Sequence, residues 1–340
     1  MNPVDRKFMG RLRGKLLLIP AVGLLLLAVG APLLAWDQPI VCRHESRLHF
    51  PAWTEACRNL PWVGGWLHRS RPFRYPDFEA RVALDAGAFA IWPPIRYRPD
   101  ELVGAGLEPP SRAHWLGTDD RGRDVAARLL HGATVSVRVG LLAVLIAGAT
   151  GVLIGAAGGY CGGLIDSVLS RLIEAVICLP TLFVVLAILA WLTPGPVAVI
   201  CVIGFTQWPT IARLVRAEFL RIKAADYVVA ARSYGLSTRA IVWRHMLPGA
   251  LAPVMVTLAF GVADALLIEA GLAWLGFGTG EATASWGRML RSAYEQLRSA
   301  PHLVYPPCAA IFVSVLAFHL AGVGLRRRWG RRTEEIRAVR

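Results

Sequence analysis

The chain has 340 residues, 55% of them hydrophobic, and a positive mean hydropathy, a composition outside that of ordinary soluble globular proteins. Its 37 Lys+Arg against 23 Asp+Glu give a formal net charge of +14. That charge lies mostly beside apolar runs, without the aromatic interleaving of a nucleic-acid binder, so the composition points to a membrane protein and away from nucleic acid.

A hydrocarbon core about 30 Å thick needs about 20 apolar residues in helical form, because every backbone polar group must be satisfied within the segment. Six stretches meet this need: Lys15–Trp36, Val135–Gly158, Val168–Leu192, Pro196–Ile211, Leu251–Leu275 and Leu303–Leu325. The fourth is short and carries Gln207 and Pro209. The basic MNPVDRKFMGRLRGK before the first has the look of a signal peptide. The apolar run that follows is too long for one and has no small-x-small cleavage site, which gives an uncleaved helix. The expected fold is an all-α polytopic membrane protein of six spans. Its parts are a basic tail at 1–14, the first span at 15–36, an insert at 37–112, an amphipathic interfacial helix at 113–134, a five-helix core at 135–325 and a basic tail at 326–340.

Arginines set the expected orientation. Arg6, Lys7, Arg11, Arg13 and Lys15 precede the first span, Arg213 to Arg244 fall between the fourth and fifth, and Arg326, Arg327, Arg328, Arg331 and Arg332 follow the sixth. An even number of spans places all three groups on one side, and the positive-inside rule makes that side cytoplasmic, with both termini inside. Residues 37–134 then lie outside, and with them Cys42 and Cys57, whose oxidising surroundings predict a disulfide contributing about 3 kcal/mol. The alternative is a pair of free thiols. Cys161, Cys178, Cys201 and Cys308 show no metal-ligand spacing and read as small core hydrophobes.

The insert changes composition to Trp, Pro, Arg and His, as in FPAWTEACRNLPWVGGWLHRSRPFRYP and IWPPIRYRPDELVGAGLEPPSR, and is too short for a self-sufficient domain. WLGTDDRGRDVAARLLHGATVSVRVG reads as a turn and then a surface helix, capped by Thr118 or Asp119, with Val125, Leu129 and Leu130 as its apolar stripe. The glycines of GGYCGGLIDSVLSR serve either a tight turn or a partner contact.

The charged loop 213–250 contains YVVAARSYGLSTRAIVWRHMLP. Tyr227 to Tyr234 favours a helix, Gly235 suits the left-handed position that ends one, and Ser237 caps a second helix running to Leu247. Pro248 then limits continuation into the next span. The product is an elbow of two short helices, which is either a dock for a soluble partner or an ordinary solvated basic loop. Ala230 and Ala231 would let a partner approach closely, with Asp226, Tyr227 and Arg232 at the rim.

Ionisable residues in spans are costly, so Glu174, Asp264, Glu269 and His319 each need a partner or a wet cavity. Asp264 and Glu269 are candidates for lining a path, the alternative being an internal pair with an arginine of this or a neighbouring subunit, and Glu174 pairs with Arg171 three residues away. The chain has no G-x-x-x-x-G-K-[ST] loop, Cys/His cluster or hydrolase elbow. No catalytic residue, bound cofactor or metal site is expected.

The spacing Ala230-Ala231, Gly235, Leu247-Pro248 resembles the EAA loop of ABC importer permeases, with Val229 in place of its Glu and His245 in place of its Ile. WLGTDDRGRDVAARLLHGA, GGYCGGLIDSVLSRLIEAVICLP and LIEAGLAWLGFGTGEATASWGRML are similar to segments of the dipeptide/oligopeptide/nickel class of these permeases, second-permease type. Thr134 replaces a usual Arg, and Val323 and Arg327 stand at two acidic positions of the C-terminal pattern. DQPIVCRHESRLHFP and AIWPPIRY in the enlarged insert resemble the YejE-like branch associated with peptide and microcin C type import. The resemblance implies a type I importer permease fold in the bacterial inner membrane and a non-catalytic subunit. Its implied partners are a second permease, two cytoplasmic ATPases or a fused one that bind ATP and Mg, and a periplasmic binding protein docking near Ser285, Trp286 and Gly287. Asp226, Tyr227, Ala230, Ala231, Arg232, Gly235, Leu247 and Pro248 would couple it to the ATPases, and the basic tail would hold anionic lipid. Nickel chelates and glutathione-like dipeptides are the alternative cargoes. A secondary transporter or channel using Asp264, Glu269 and His319 as a proton relay is the rival class.

Overall fold

The computed structural model describes residues 15–44, 47–58, 89–193, 195–278, 280 and 283–338. The basic tail 1–14 and residues 59–88 of the Trp-rich insert lie outside the described residues. Among the described residues, four helical stretches are long and apolar enough to cross a membrane: Val125–Cys161, Pro196–Lys223, Thr238–Leu275 and Pro301–Trp329. A bent pair would make a fifth.

Helix α1 (Ile19–Leu34) has 16 residues, about 24 Å of helix, shorter than the expected 15–36 span. Beyond it a small antiparallel sheet has the order β2-β1-β3, from β1 (Val41–His44), β2 (Arg47–His49) and β3 (Phe89–Ile91), with α2 (Pro51–Arg58) following β2. Ala35 bridges Ile95, which ties the end of α1 to the returning chain.

Helix α3 (Val125–Cys161) runs 37 residues without a break. The surface helix expected at 113–134 is therefore the first part of the second span, because nothing near Thr134 interrupts its backbone ladder. Its cap is Asp124, whose Oδ1 accepts from the Ala127 N–H at 2.7 Å. Thr118 and Asp119, expected as caps, instead build the turn before it. Thr118 Oγ1 donates to Ala105 O at 2.6 Å, and Asp119 Oδ1 accepts from the Arg121 and Arg123 N–H groups at 2.9 and 3.0 Å. Gly122 stands in this turn at φ +77, with the Gly104 carbonyl where a side chain would begin.

The third expected span is two helices, α4 (Gly163–Ile177) and α5 (Thr181–Leu189), bent by 83°. Pro180 explains the bend: it lacks an amide N–H and pushes Leu179 out of the helical region. The fourth is longer than expected. Helix α6 (Pro196–Lys223) carries Pro209 in its interior and continues well past Ile211. After the elbow come α9 (Leu247–Leu275), α10 (Trp286–Glu295) and α11 (Tyr305–Ala338).

Helix α3 is the hub, packed most extensively on α6 and also on α9 and α1. Gly151, Gly155 and Gly159 recur every four residues along it, facing α6. A Cβ would lie 2.7 Å from Ile211 Cβ at Gly151, 2.8 Å from Val215 Cβ at Gly155 and 2.5 Å from Phe219 Cβ at Gly159. The helices touch backbone to backbone here, the small-residue packing that holds helices together in lipid. Large apolar side chains such as Leu145, Leu153, Phe205 and Phe312 point outward.

Candidate functional site

The elbow is helix α7 (Asp226–Ser233), a bend, the single turn α8 (Thr238–Ala240) and a π turn over Ile241–Met246 that runs into α9. Gly235 has φ +76, and the α7 end is closed by two crossed hydrogen bonds, Gly235 N–H to Arg232 O at 3.0 Å and Leu236 N–H to Ala231 O at 3.2 Å. This is the Schellman pattern, which needs a left-handed residue at that position. Ser237 Oγ then accepts from the Ala240 N–H at 3.4 Å and starts the second arm.

Pro248 does not end that arm, contrary to expectation. The Leu247 N–H donates to Val242 O, five residues back, so the preceding turn is already widened where the proline ring would crowd an α turn.

Val228, Ala231, Ile241 and Met246 are buried in one cluster with Val215, Phe219 and Ile222 of α6 and Ala147 of α3. That cluster anchors the elbow to the ends of two spans. Tyr160 Oη donates to Thr238 Oγ1 at 3.1 Å, and Lys223 Nζ donates to Tyr160 O at 2.6 Å. The outer side of the elbow presents Tyr227, Val229, Tyr234, Leu236 and Trp243 to solvent, with Asp226, Ala230, Arg232, Arg239 and Arg244 among them. Ala230 faces out, whereas Ala231, read as its equal, is packed under the elbow. Leu247 is half-buried and Pro248 exposed. The exposed face of the elbow is therefore both apolar and basic.

At the opposite end, Ser285, Trp286 and Gly287 are buried, which corrects their reading as a docking surface. Trp286 Nε1 donates to Leu129 O at 3.0 Å, and a Cβ on Gly287 would sit 2.7 Å from Ala270 Cα. They wedge α10 between α3 and α9. Glu269 is only 1% exposed and accepts from Ser136 Oγ at 2.9 Å, which ties α9 to α3. Ser136 Oγ in turn accepts from the Trp286 N–H at 3.4 Å. Asp264 is exposed on α9, and His319 is exposed on α11, its ring edge against Phe260 at 5.3 Å. Arg171 donates to Glu174 at 3.1 Å, as expected. Cys42 and Cys57 are free thiols and the expected disulfide is not formed: Cys42 is sealed in the middle strand β1, and Cys57 sits half-buried in the last turn of α2. Among the described residues no group of His, Cys, Asp or Glu is placed to hold a metal.

Sequence reasoning passed over two contacts. The every-fourth-residue glycines on α3 are visible as G-x-x-x-G-x-x-x-G. The Asp166–Arg216 pair, joining the glycine-rich turn to α6, has no local signal, since the partners are 50 residues apart.

Residues 151–335 match the family model described as binding-protein-dependent transport system inner membrane component. Among curated relatives, the chain is 36% identical to the dipeptide transport system permease protein DppC of Alkalihalophilus pseudofirmus, over 65% of this chain and 72% of the relative. It is 35% identical to the glutathione transport system permease protein GsiD of Pectobacterium atrosepticum, over 64% and 73%. With the inner membrane ABC transporter permease protein YejE of Escherichia coli it shares 33% identity over 86% of both chains.

Proposed function

This chain belongs to the family of binding-protein-dependent transport system inner membrane components, and we propose that it forms, with a second permease subunit, the path by which an ATP-driven importer moves oligopeptides or peptide-like compounds across the bacterial inner membrane. It is a permease subunit and not an enzyme. The observation that carries the reading is the elbow, whose two arms are packed on α3 and α6 and whose second arm continues without a break into α9. An ATPase that seats the knob of Tyr227, Ala230, Tyr234 and Trp243 would move α9 with it. ATP and Mg act on that partner.

In this reading the elbow end is cytoplasmic, and α1, α3, the bent α4–α5 pair, α6, α9 and α11 make six crossings with both termini inside. Asp264, exposed on α9, meets the ammonium end of a peptide in the path. The overall likeness to YejE and the dipeptide permeases favours peptides, and the likeness to the glutathione permease supports a short, modified dipeptide as the alternative cargo.

Co-purification of the tagged chain in mild detergent from its host, with partners identified by mass, tests the assembly. A second permease and one or two ATPases are expected. Recovery of the chain alone, self-associated, would overturn the reading in favour of a self-contained transporter. Gly235→Pro, which cannot adopt φ +76 and loses the N–H bond to Arg232, is expected to abolish ATP-dependent uptake with the protein still inserted.

A further inference from the structure

Helix α4 lies mostly uncovered. Of its 15 residues only Ile173 is buried, in a small cluster with Trp208 and Ala212 of α6. The chain enters α4 from α3 through Gly162 and Gly163, at φ +72 and +56, and nothing stands within 4 Å of a Cβ built on Gly163. Two successive left-handed glycines make the most permissive joint a backbone has, so the chain itself passes little force from α3 into α4. The first turn of α4 is held by a side chain instead: Arg216 of α6 grips both oxygens of Asp166, one of them at 2.8 Å. Helix α4 is thus fastened to α6 at Asp166 and again at Ile173, about 10 Å further along.

Helix α6 ends at Lys223, where three elements meet. Lys223 Nζ donates to Tyr160 O in the last turn of α3 at 2.6 Å, lies 5.6 Å from the centre of the Tyr160 ring, and attracts the Asp166 carboxylate. A Cβ on Gly162 would lie 3.8 Å from that Nζ, which puts the ammonium against the glycine joint. With its carbonyl and ring held in this way, Tyr160 donates from Oη to Thr238 Oγ1, at the start of the elbow's second arm, at 3.1 Å. Thr238, Tyr160, Lys223, Asp166 and Arg216 therefore lead from the elbow to α4 through side chains rather than along the backbone.

We infer that Tyr160 and Lys223 are positioning residues that carry displacement of the elbow into α4, so that the first half of the bent span shifts together with α9 when an ATPase moves the elbow. This rests on the coupling reading given above. Hydrogen-bonded side chains between packed helices can carry a shift from one site to another. A stiff joint would make α4 follow α3 whatever those side chains did, and the glycine pair removes that constraint.

Hydrogen–deuterium exchange tests this on the tagged chain purified with its partners in mild detergent, without nucleotide and with ATP and vanadate, reading the elbow (226–246) and α4 (163–177) separately. In wild type both are expected to change with nucleotide. Tyr160→Phe keeps the ring and loses the bond to Thr238. Its nucleotide-dependent change in α4 should fall about threefold, the scale of one exposed neutral hydrogen bond, with the elbow's change retained. Lys223→Met should lower it about tenfold, the scale of a charge-assisted bond, and Lys223→Arg should restore part of it. Thr238→Val should act like Tyr160→Phe, Thr238→Ser like wild type, and Tyr160→Phe/Thr238→Val no worse than either alone, because the same bond is lost once. Arg171→Gln, which breaks an ion pair lying wholly within α4, should respond like wild type. Should Lys223→Met fail to insert, Tyr160→Phe and Thr238→Val carry the test, since each removes a single hydroxyl.

A response of α4 in these variants equal to that of wild type overturns the inference. So does α4 exchange that the variants shift equally with and without nucleotide, the mark of a merely structural bond. An elbow that responds in wild type while α4 does not overturns it too, and leaves the coupling reading standing. A preparation without an ATPase, or an elbow indifferent to nucleotide, overturns the coupling reading and this inference with it.

Discussion

Arg216 grips both oxygens of Asp166, with Nη2 donating to Oδ2 at 2.8 Å and Nε to Oδ1, and so fastens the first turn of α4 to the second half of α6. Both side chains are partly shielded, at 31% and 18% exposure, so the pair is worth more than a surface ion pair. Asp166→Asn is expected to lower stability by about 1–2 kcal/mol. Exchanging the two residues in Asp166→Arg/Arg216→Asp should recover part of the loss. Thermal unfolding of the detergent-purified assembly checks both.

Gly235 has nothing within 4 Å of a built Cβ, so a side chain there meets only the cost of a left-handed backbone. Gly235→Ala should therefore cost roughly 1 kcal/mol locally, and Gly235→Asn less. Under the coupling reading, uptake falls modestly in the first and stays near wild type in the second. A severe loss in Gly235→Asn would mean that a partner needs the bare backbone.

Glu269 accepts from Ser136 in a site almost closed to solvent. Glu269→Leu leaves Ser136 without its acceptor and is expected to destabilise the assembly by about 1–3 kcal/mol, with Glu269→Gln close to wild type. If instead Glu269 meets cargo directly, Glu269→Gln will raise the KM for uptake with no change in melting temperature.

Helix α3 tolerates no bulk where it meets α6. At Gly155 a Cβ would lie 2.8 Å from Val215 Cβ, with backbone nearer still. Gly155→Val should force the helices apart and cost about 1–3 kcal/mol or more, read as lower yield of inserted protein. Gly163→Ala, with nothing within 4 Å of its Cβ, separates backbone strain from crowding.

Burial raises the Cys42 thiol, so less of it is thiolate at neutral pH, and its side chain is sealed from solvent. Maleimide should modify exposed Cys161 and leave Cys42 unreacted near pH 7. The Cys42 rate should rise with pH beyond the range where an ordinary thiol levels off, and labelling of both cysteines at equal rates would contradict the buried placement.

Local chemistry made parts of this molecule legible from sequence. The left-handed Gly235, the cap at Ser237 and the Arg171–Glu174 pair each depend on a few adjacent residues, and each is found where expected. What failed depended on distant chain. Thr118 and Asp119 have cap chemistry, but Ala105 and Arg123 claim them, and Asp124 caps α3 instead. Trp286 and Ser285 look like exposed interface residues until α3 and α9 close over them. Pro180 and Pro248 carry the same local signal, yet one bends the chain by 83° and the other sits in a continuous helix, because only the second follows a widened turn.

That widened turn also sets rotational phase. An α-helix turns its side chains by about 100° per residue, and the π turn at Ile241–Met246 holds one residue more than an α turn would. Drawing it into regular α-helix with every residue kept would leave the elbow seated as before and roll the whole of α9 by about a quarter-turn or slightly more. Asp264 would then swing off its present azimuth and Glu269 would leave Ser136. The azimuth of this 29-residue helix, and so which of its faces packs on α3, is indexed by a single surplus amino acid at its base.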